Sequence, residues 1–227
     1  MRLQILRIES QIPMETGQVS VVQIEDRTLY ARVVQSLASG KGLEAIEPYC
    51  VWDDRGEVVR SSKALIVVES MASLPLNDRA ITSRLYARMV DSMELLPGTF
   101  EKIESSGNQL SSAIEELSLE MWGKYSFRID WSLETYLKAF SFSPCPENDE
   151  SILDNAMCFL ELCADIELDI PIMLVNAKSF FDKNELERLY EKATSLGIRL
   201  VLLESWNDRR VFLKERNTII DQDFVEC

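Results

Sequence analysis

Two apolar runs without alternation, 169–176 (DIPIMLVN) and 198–204 (IRLVLLE), flank a segment in which Leu186, Leu189, Tyr190, Ala193 and Leu196 recur at helical spacing. Continuous apolar runs of this length read as strands buried on both faces of a parallel sheet. Between them, the 3.6-residue recurrence makes one apolar helix face. Asp182 followed three residues later by Glu185 predicts a capping box, and Gly197 marks where the helix stops. The three pieces form a strand–helix–strand crossover, which is expected to be right-handed.

The same patterns extend in both directions. Residues 1–9 read as a strand, 11–17 as a turn with Pro13 and Gly17, and 18–24 (QVSVVQI) as a second strand. Glu25-Asp26 then opens a helix with Leu29, Val33, Val34 and Leu37 on one side, ending before Gly40. Val51 and Val59 flank Asp53-Asp54-Arg55-Gly56, a good hairpin turn. Residues 64–68 (ALIVV) form another buried strand, closed by Glu69. After Pro75 the texture becomes helical: 77–95 with Ile81, Leu85, Met89 and Met93 spaced by four, then about 100–121 beyond Pro97-Gly98, then about 131–140. A long helix over 149–166, with Ile152, Ala156, Phe159 and Cys163 inward, leads back to the central strand. The stretches 211–213 and 218–220 read as short edge elements before an acidic tail.

Strands on both sides of an all-helical middle predict an α/β fold with a mainly parallel sheet and flanking helices. The expected division is a discontinuous head of 1–76 and 144–227, with a helical insertion of 77–143. No internal repeat or low-complexity segment interrupts it.

Charge and composition narrow the chemistry. A net charge of −14 argues against a protein that coats nucleic acid or an anionic membrane with its whole surface, though not against a local basic patch. No window approaches eighteen apolar residues, so no membrane span is expected. Five scattered cysteines (Cys50, Cys145, Cys158, Cys163, Cys227), with no C-x-x-C pair and no signal peptide, read as reduced thiols of a cytoplasmic protein. Cys158 is expected on a buried helix face. There is no histidine, which removes Ser-His-Asp and Cys-His nucleophilic sites, histidine metal sites and the usual general base near neutral pH.

The strand–helix junction at 24–27 (IEDR) is where a nucleotide-binding protein places its phosphate loop. It has no glycine, and its two acids repel an anion. Lys41, between Gly40 and Gly42, lacks the upstream glycine and the following hydroxyl, and it comes after a helix instead of before one. Glu69 sits where nucleotide hydrolases carry a metal-binding acid, but a single carboxylate falls below the ligand count of a hard cation. The basic residues are more informative. Residues 77–143 carry seven basic side chains against ten acids, a net −3 out of −14, and are the least acidic part of the chain. Arg84 and Arg88 share a helix face, Arg79 lies near that helix start, and Lys124 and Arg128 flank Tyr125 and Phe127. For one chain alone these are ordinary solvated charges; repeated around a hole, they add phosphate contacts. Asp130, with Glu134 a turn later and Glu120 nearby, is a candidate divalent-cation cluster or, more simply, Asp130 caps the helix after it.

Residues 12–22 (IPMETGQVSVV), followed by a helix with Val33-Val34-Gln35, resemble the start of the small accessory adaptation protein of type II-A CRISPR systems. Residues 171–176 (PIMLVN), 180–185 (FFDKNE) and 200–204 (LVLLE) resemble that family's C-terminal half. The resemblance covers nearly the whole chain, including the helical insertion. It implies a degenerate nucleotide-hydrolase-like head that binds no nucleotide, and a homotetrameric ring. It further implies sequence-independent binding of double-stranded DNA ends through a basic inner surface, and calcium holding the ring shape. Asp130 matches the family's acidic calcium region, where this chain has Arg128, Trp131 and Ser132 in place of further acids. The implied partners are the CRISPR integrase proteins and the RNA-guided nuclease, in spacer acquisition. The expectation is a non-catalytic DNA-binding protein, with Arg79, Arg84, Arg88, Lys124 and Arg128 on DNA and Asp130 and Glu134 at a metal. The alternatives are an α/β nucleotide-utilising enzyme built on Lys41 or Lys178 with Glu69, and a protein-binding scaffold that touches no nucleic acid.

Overall fold

The computed structural model describes residues 1–144, 151–206, 208, 210 and 212–221. In chain order the first elements are β1 (Arg2–Ile5), β2 (Ile12–Pro13), β3 (Val19–Ile24), α1 (Arg27–Ser39), β4 (Tyr49–Trp52), β5 (Val58–Val59) and β6 (Ile66–Val68). Three helices follow: α2 (Arg79–Glu94), α3 (Pro97–Ser118) and α4 (Leu133–Ala139). The chain ends with α5 (Ile152–Asp165), β7 (Ile172–Val175), α6 (Lys183–Ser195), β8 (Leu200–Glu204) and β9 (Glu215–Ile220). It divides into two compact units, residues 1–75 with 146–227 and residues 76–145.

The first unit is α/β. Its five-stranded sheet runs β6-β7-β8-β3-β9, every pairing parallel. Alternate strand residues face opposite sides. Val22, Ile24, Met173, Val201 and Leu203 join one core with Leu29, Val33 and Leu37 of α1. The alternate set, Val21, Ile172, Leu174, Leu200 and Leu202, is equally buried, so both faces are covered as the unbroken apolar runs require. The buried residues of α5 (Leu153, Ala156, Phe159, Leu160, Leu162, Cys163) and of α6 (Leu186, Leu189, Tyr190, Ala193) supply complementary apolar faces, and the two helices pack on each other.

The capping box at Asp182 and Glu185 forms in both directions, with Glu185 N donating to Asp182 and Asp182 N donating to Glu185. At the C-terminal end of α1, Gly40 adopts φ +64° and closes the helix as a left-handed cap that a side chain would strain.

Several elements depart from the sequence reading. β1 and the β4–β5 hairpin do not join the parallel sheet; they form a separate antiparallel sheet ordered β2-β1-β4-β5, with a two-residue strand where a turn is expected. Leu3, Ile5, Ile12 and Met14 of that sheet and its connections share the α1 core. The segment around 211–213 contributes no strand among its described residues, 212 and 213, and β9 is the sheet edge. Cys158 is half-buried, whereas Cys163 lies in the core, where burial pushes its thiol up to about 12. Cys145, Cys227 and the acidic tail beyond 221 lie outside the described residues.

The second unit consists of α2, α3 and α4, which pack on one another around Ile81, Tyr86, Met93 and Leu137. α3 starts at Pro97 itself, since a proline at the first helical position costs no hydrogen bond. α4 is capped by Ser132, whose hydroxyl accepts from Thr135 N at 3.2 Å, so Asp130 is not a cap. Among the described residues no helix is long and apolar enough to cross a membrane.

Candidate functional site

In an open parallel sheet, ligands meet the carboxyl ends of the strands. Here those ends carry Glu69 after β6, Asn176 after β7, Glu204 closing β8, and Glu25-Asp26 after β3. The α1 entrance is already occupied from within: the Asp26 carboxylate accepts from Leu29 N at 2.6 Å. An anion approaching those amides would meet a carboxylate and no glycine nest. Glu69 and Lys41 are both exposed, and Lys41 follows α1, away from that entrance.

Lys178 has another role. It sits in the short 3-10 turn 177–179 after β7, with its side chain fully buried. Its ammonium lies 2.7 Å from Glu215 Oε1 and 3.3 Å from Asp208 Oδ2, as ion pairs that are not aligned hydrogen bonds, and 5.2 Å from the Phe212 ring centre. Tyr190 of α6 donates to the same Glu215 oxygen at 2.5 Å, and burial followed by the Glu215 charge drives its phenol well above the ordinary value. Arg210 ties the same region together. Its Nε donates to both Asp208 oxygens, while Nη1 and Nη2 donate to the carbonyls of Phe181 and Lys178, both at 2.9 Å. Burial pushes Asp208 upward, but the Arg210 amide and the Lys178 and Arg210 charges outweigh it and hold the carboxyl below its usual range.

Glu204 stands beside this cluster, fully buried. One oxygen accepts from Lys178 N at 3.0 Å, and the other has no hydrogen-bond partner among the described residues. Burial raises its carboxyl to about 7, against the lowering influence of the Lys178 amide and charge. Asn176, in the left-handed conformation at φ 53°, accepts from Ser205 N and Ser205 Oγ and joins the ends of β7 and β8. The sequence gives no sign of this network, because its members are distant in the chain and form no motif. Among the described residues three carboxylates (Glu204, Asp208, Glu215) face two cations (Lys178, Arg210), in keeping with the raised Glu204 carboxyl.

The predicted DNA-binding residues lie in the helical unit. Arg79, Arg84 and Arg88 are on α2, the first two exposed and Arg88 half-buried. Lys124 and Arg128 are exposed in the connection between α3 and α4. Of the predicted metal ligands, Asp130 is exposed in that connection, and Glu134 is ion-paired with Lys138 one turn along α4. Among the described residues no group of three or more Asp, Glu, Cys or His side chains is placed to hold a metal ion. Asp130 and Glu134 therefore fall short of the six to eight oxygens that calcium takes.

No protein-family model matches the sequence, and no curated protein matches it. Among solved structures, the fold is similar to the crystal structure of Stu0660 of Streptococcus thermophilus, with a TM-score of 0.61 and 17% identity over 97% of this chain and 74% of that one. At that identity the likeness concerns the fold.

Proposed function

We propose that the chain is a non-catalytic, sequence-independent double-stranded DNA-binding protein that assembles as a homotetrameric ring and acts in CRISPR spacer acquisition in the cytoplasm, alongside the integrase proteins and the RNA-guided nuclease. The observation that carries the DNA reading is the segregation of charge. The least acidic segment is a separate helical unit whose Arg79, Arg84, Lys124 and Arg128 side chains stand in solvent. An acidic exterior then leaves these cations as the surface on which phosphates can gather. Contacts of this kind are strongly salt-dependent and read no bases. Phosphate contacts made by these cations need no calcium, and among the described residues no acidic cluster is placed to hold it.

The nucleotide-enzyme reading loses one of its two lysines: Lys178 is fully buried and neutralised by Glu215 and Asp208, so a phosphate could reach it only by breaking both ion pairs, which leaves exposed Lys41, placed after α1. The test is the salt dependence of binding to a linear duplex. Each phosphate contact contributes about 0.9 to the slope of log K against log salt, so Arg84→Ala/Arg88→Ala is expected to weaken binding and to flatten the slope by roughly 2 for each copy on the duplex. An unchanged slope removes these two residues from the interface.

A further inference from the structure

Arg2, Arg55 and Arg216 line one cavity of about 500 Å³ in the α/β unit. Strand alternation delivers two of them there. On β1, Leu3 and Ile5 enter the core, which turns Arg2 to the outer face of the antiparallel sheet beside its register partners Pro13 and Trp52. On β9, Glu215 and Asn217 reach Tyr190 and Gln23, so Arg216 between them points to the opposite side. Arg216 stands in register with Ser20, whose hydroxyl donates to the Pro13 carbonyl and joins the two sheets. Arg55 comes from the Asp53–Gly56 turn that follows β4.

In a chain of net charge −14, these three like charges meet without counter-charges of their own. Among the described residues none of the three makes an ion pair. The acids in the same lining are engaged elsewhere. Asp53 accepts from Arg55 N at 2.9 Å and from Glu57 N at 2.8 Å, and Asp54 pairs with Arg199 at 2.8 Å and with the Met1 ammonium. Glu15, exposed, is the lining acid left without a partner among the described residues. Arg2 lies 5.5 Å from the Trp52 ring centre, a cation–π contact that orients its guanidinium without neutralising it. From this geometry we infer that the cavity binds a terminal phosphate, the phosphomonoester group of a 5′-phosphorylated DNA end or of a small phosphate ester. Three planar guanidinium forks match the three terminal oxygens and charge of about −2 that a monoester presents. A backbone diester offers less charge and fewer free oxygens to the same donors. Glu15 can only accept, so it fits a hydroxyl or amine hydrogen on the organic part of the ligand. The volume falls within the ~300–1,000 Å³ of small-ligand pockets. The site is separate from Arg79, Arg84, Lys124 and Arg128, which belong to the helical unit. For a DNA end the inference rests on the DNA-binding reading; for a free ester it stands alone.

The test uses the full chain in two titrations. In the first, inorganic phosphate replaces chloride at constant ionic strength and its binding is followed by calorimetry. Wild type should bind it, and Arg55→Gln/Arg216→Gln should weaken that binding roughly tenfold, since two charge-assisted sets of hydrogen bonds are lost. Both side chains are exposed, so the variant should keep the wild-type melting curve. In the second, a 5′-phosphorylated linear duplex should bind several-fold tighter than the same duplex ending in hydroxyls, and the variant should lose this preference. Arg84→Ala/Arg88→Ala, by contrast, should weaken both duplexes and keep it. Phosphate binding that the variant loses, with no difference between the duplexes, supports the site and assigns it to a free ester. Wild type that binds no phosphate and holds both duplexes alike overturns the inference, as does a variant that keeps both behaviours. The two readings separate cleanly. Duplex binding without any response to phosphate sinks the site but leaves the DNA reading, whereas phosphate binding without affinity for duplex sinks the DNA reading but leaves the site.

Discussion

Replacing Lys178 with methionine is expected to destabilise the protein by about 3–5 kcal/mol, although the stem keeps its volume and its place beside Phe212. The ammonium is the main counter-charge of Glu215, and it shares Asp208 with Arg210. Removing one partner of a buried pair leaves carboxylates stranded in a low-dielectric site, and that penalty exceeds the net worth of the intact pair. Urea unfolding of wild type and variant measures it directly. A loss below 1 kcal/mol would mean that water or a rearranged Arg210 reaches these carboxylates. Arg210 holds the Phe181 and Lys178 carbonyls and Asp208 shares Lys178, so the variant should also lose protection from hydrogen exchange first at Asp208 and Arg210.

Stability should also fall as pH rises from about 4.5 to about 7, by roughly 3 kcal/mol, through Glu204 alone. The folded carboxyl holds its proton up to about 7, whereas the unfolded one releases it near 4.5. Between those values the native state carries the extra proton, so each rise in pH favours the unfolded chain. Above 7 both states are ionised and the contribution is spent. Glu204→Gln retains an oxygen for the Lys178 amide and has no proton to lose, so the difference between the wild-type and variant stability curves should isolate this slope. Asp208 titrates in the opposite sense and at lower pH: its depressed carboxyl stabilises the fold above about 3.8 and loses that contribution as the pH falls. Parallel wild-type and Glu204→Gln curves from pH 5 to 8 would show that water solvates Glu204.

Much of the head was legible because its signals are local. The unbroken apolar runs of β7 and β8, the capping box of α6 and the Asp53–Gly56 turn each state their structure within a few residues. The antiparallel sheet was harder to assign, since a four-residue strand such as β1 does not announce which sheet it joins. Asp130 and Ser132 are both good capping residues, and the choice fell to the one whose hydroxyl reaches Thr135 N. The buried ion network was invisible for a different reason. Lys178, Asp208 and Glu215 look like solvated charges in sequence, and only the fold brings them together. Glu204, at the end of an apolar run, likewise reads as a strand terminus meeting water, yet it is fully buried. In the helical unit the heptad spacing of α3 was available in the sequence. That Trp131 packs on Gly107 of that helix depends on how the connection before α4 folds, which the spacing does not show.

The most direct test of the proposed DNA-threading ring compares binding to linear and to covalently closed circular duplexes of one sequence and length, at a fixed salt concentration. A closed ring can be reached only over a free end, so the account predicts tight binding to the linear form and at least tenfold weaker binding to the circle. Equal binding to both forms, or binding to neither, would contradict it.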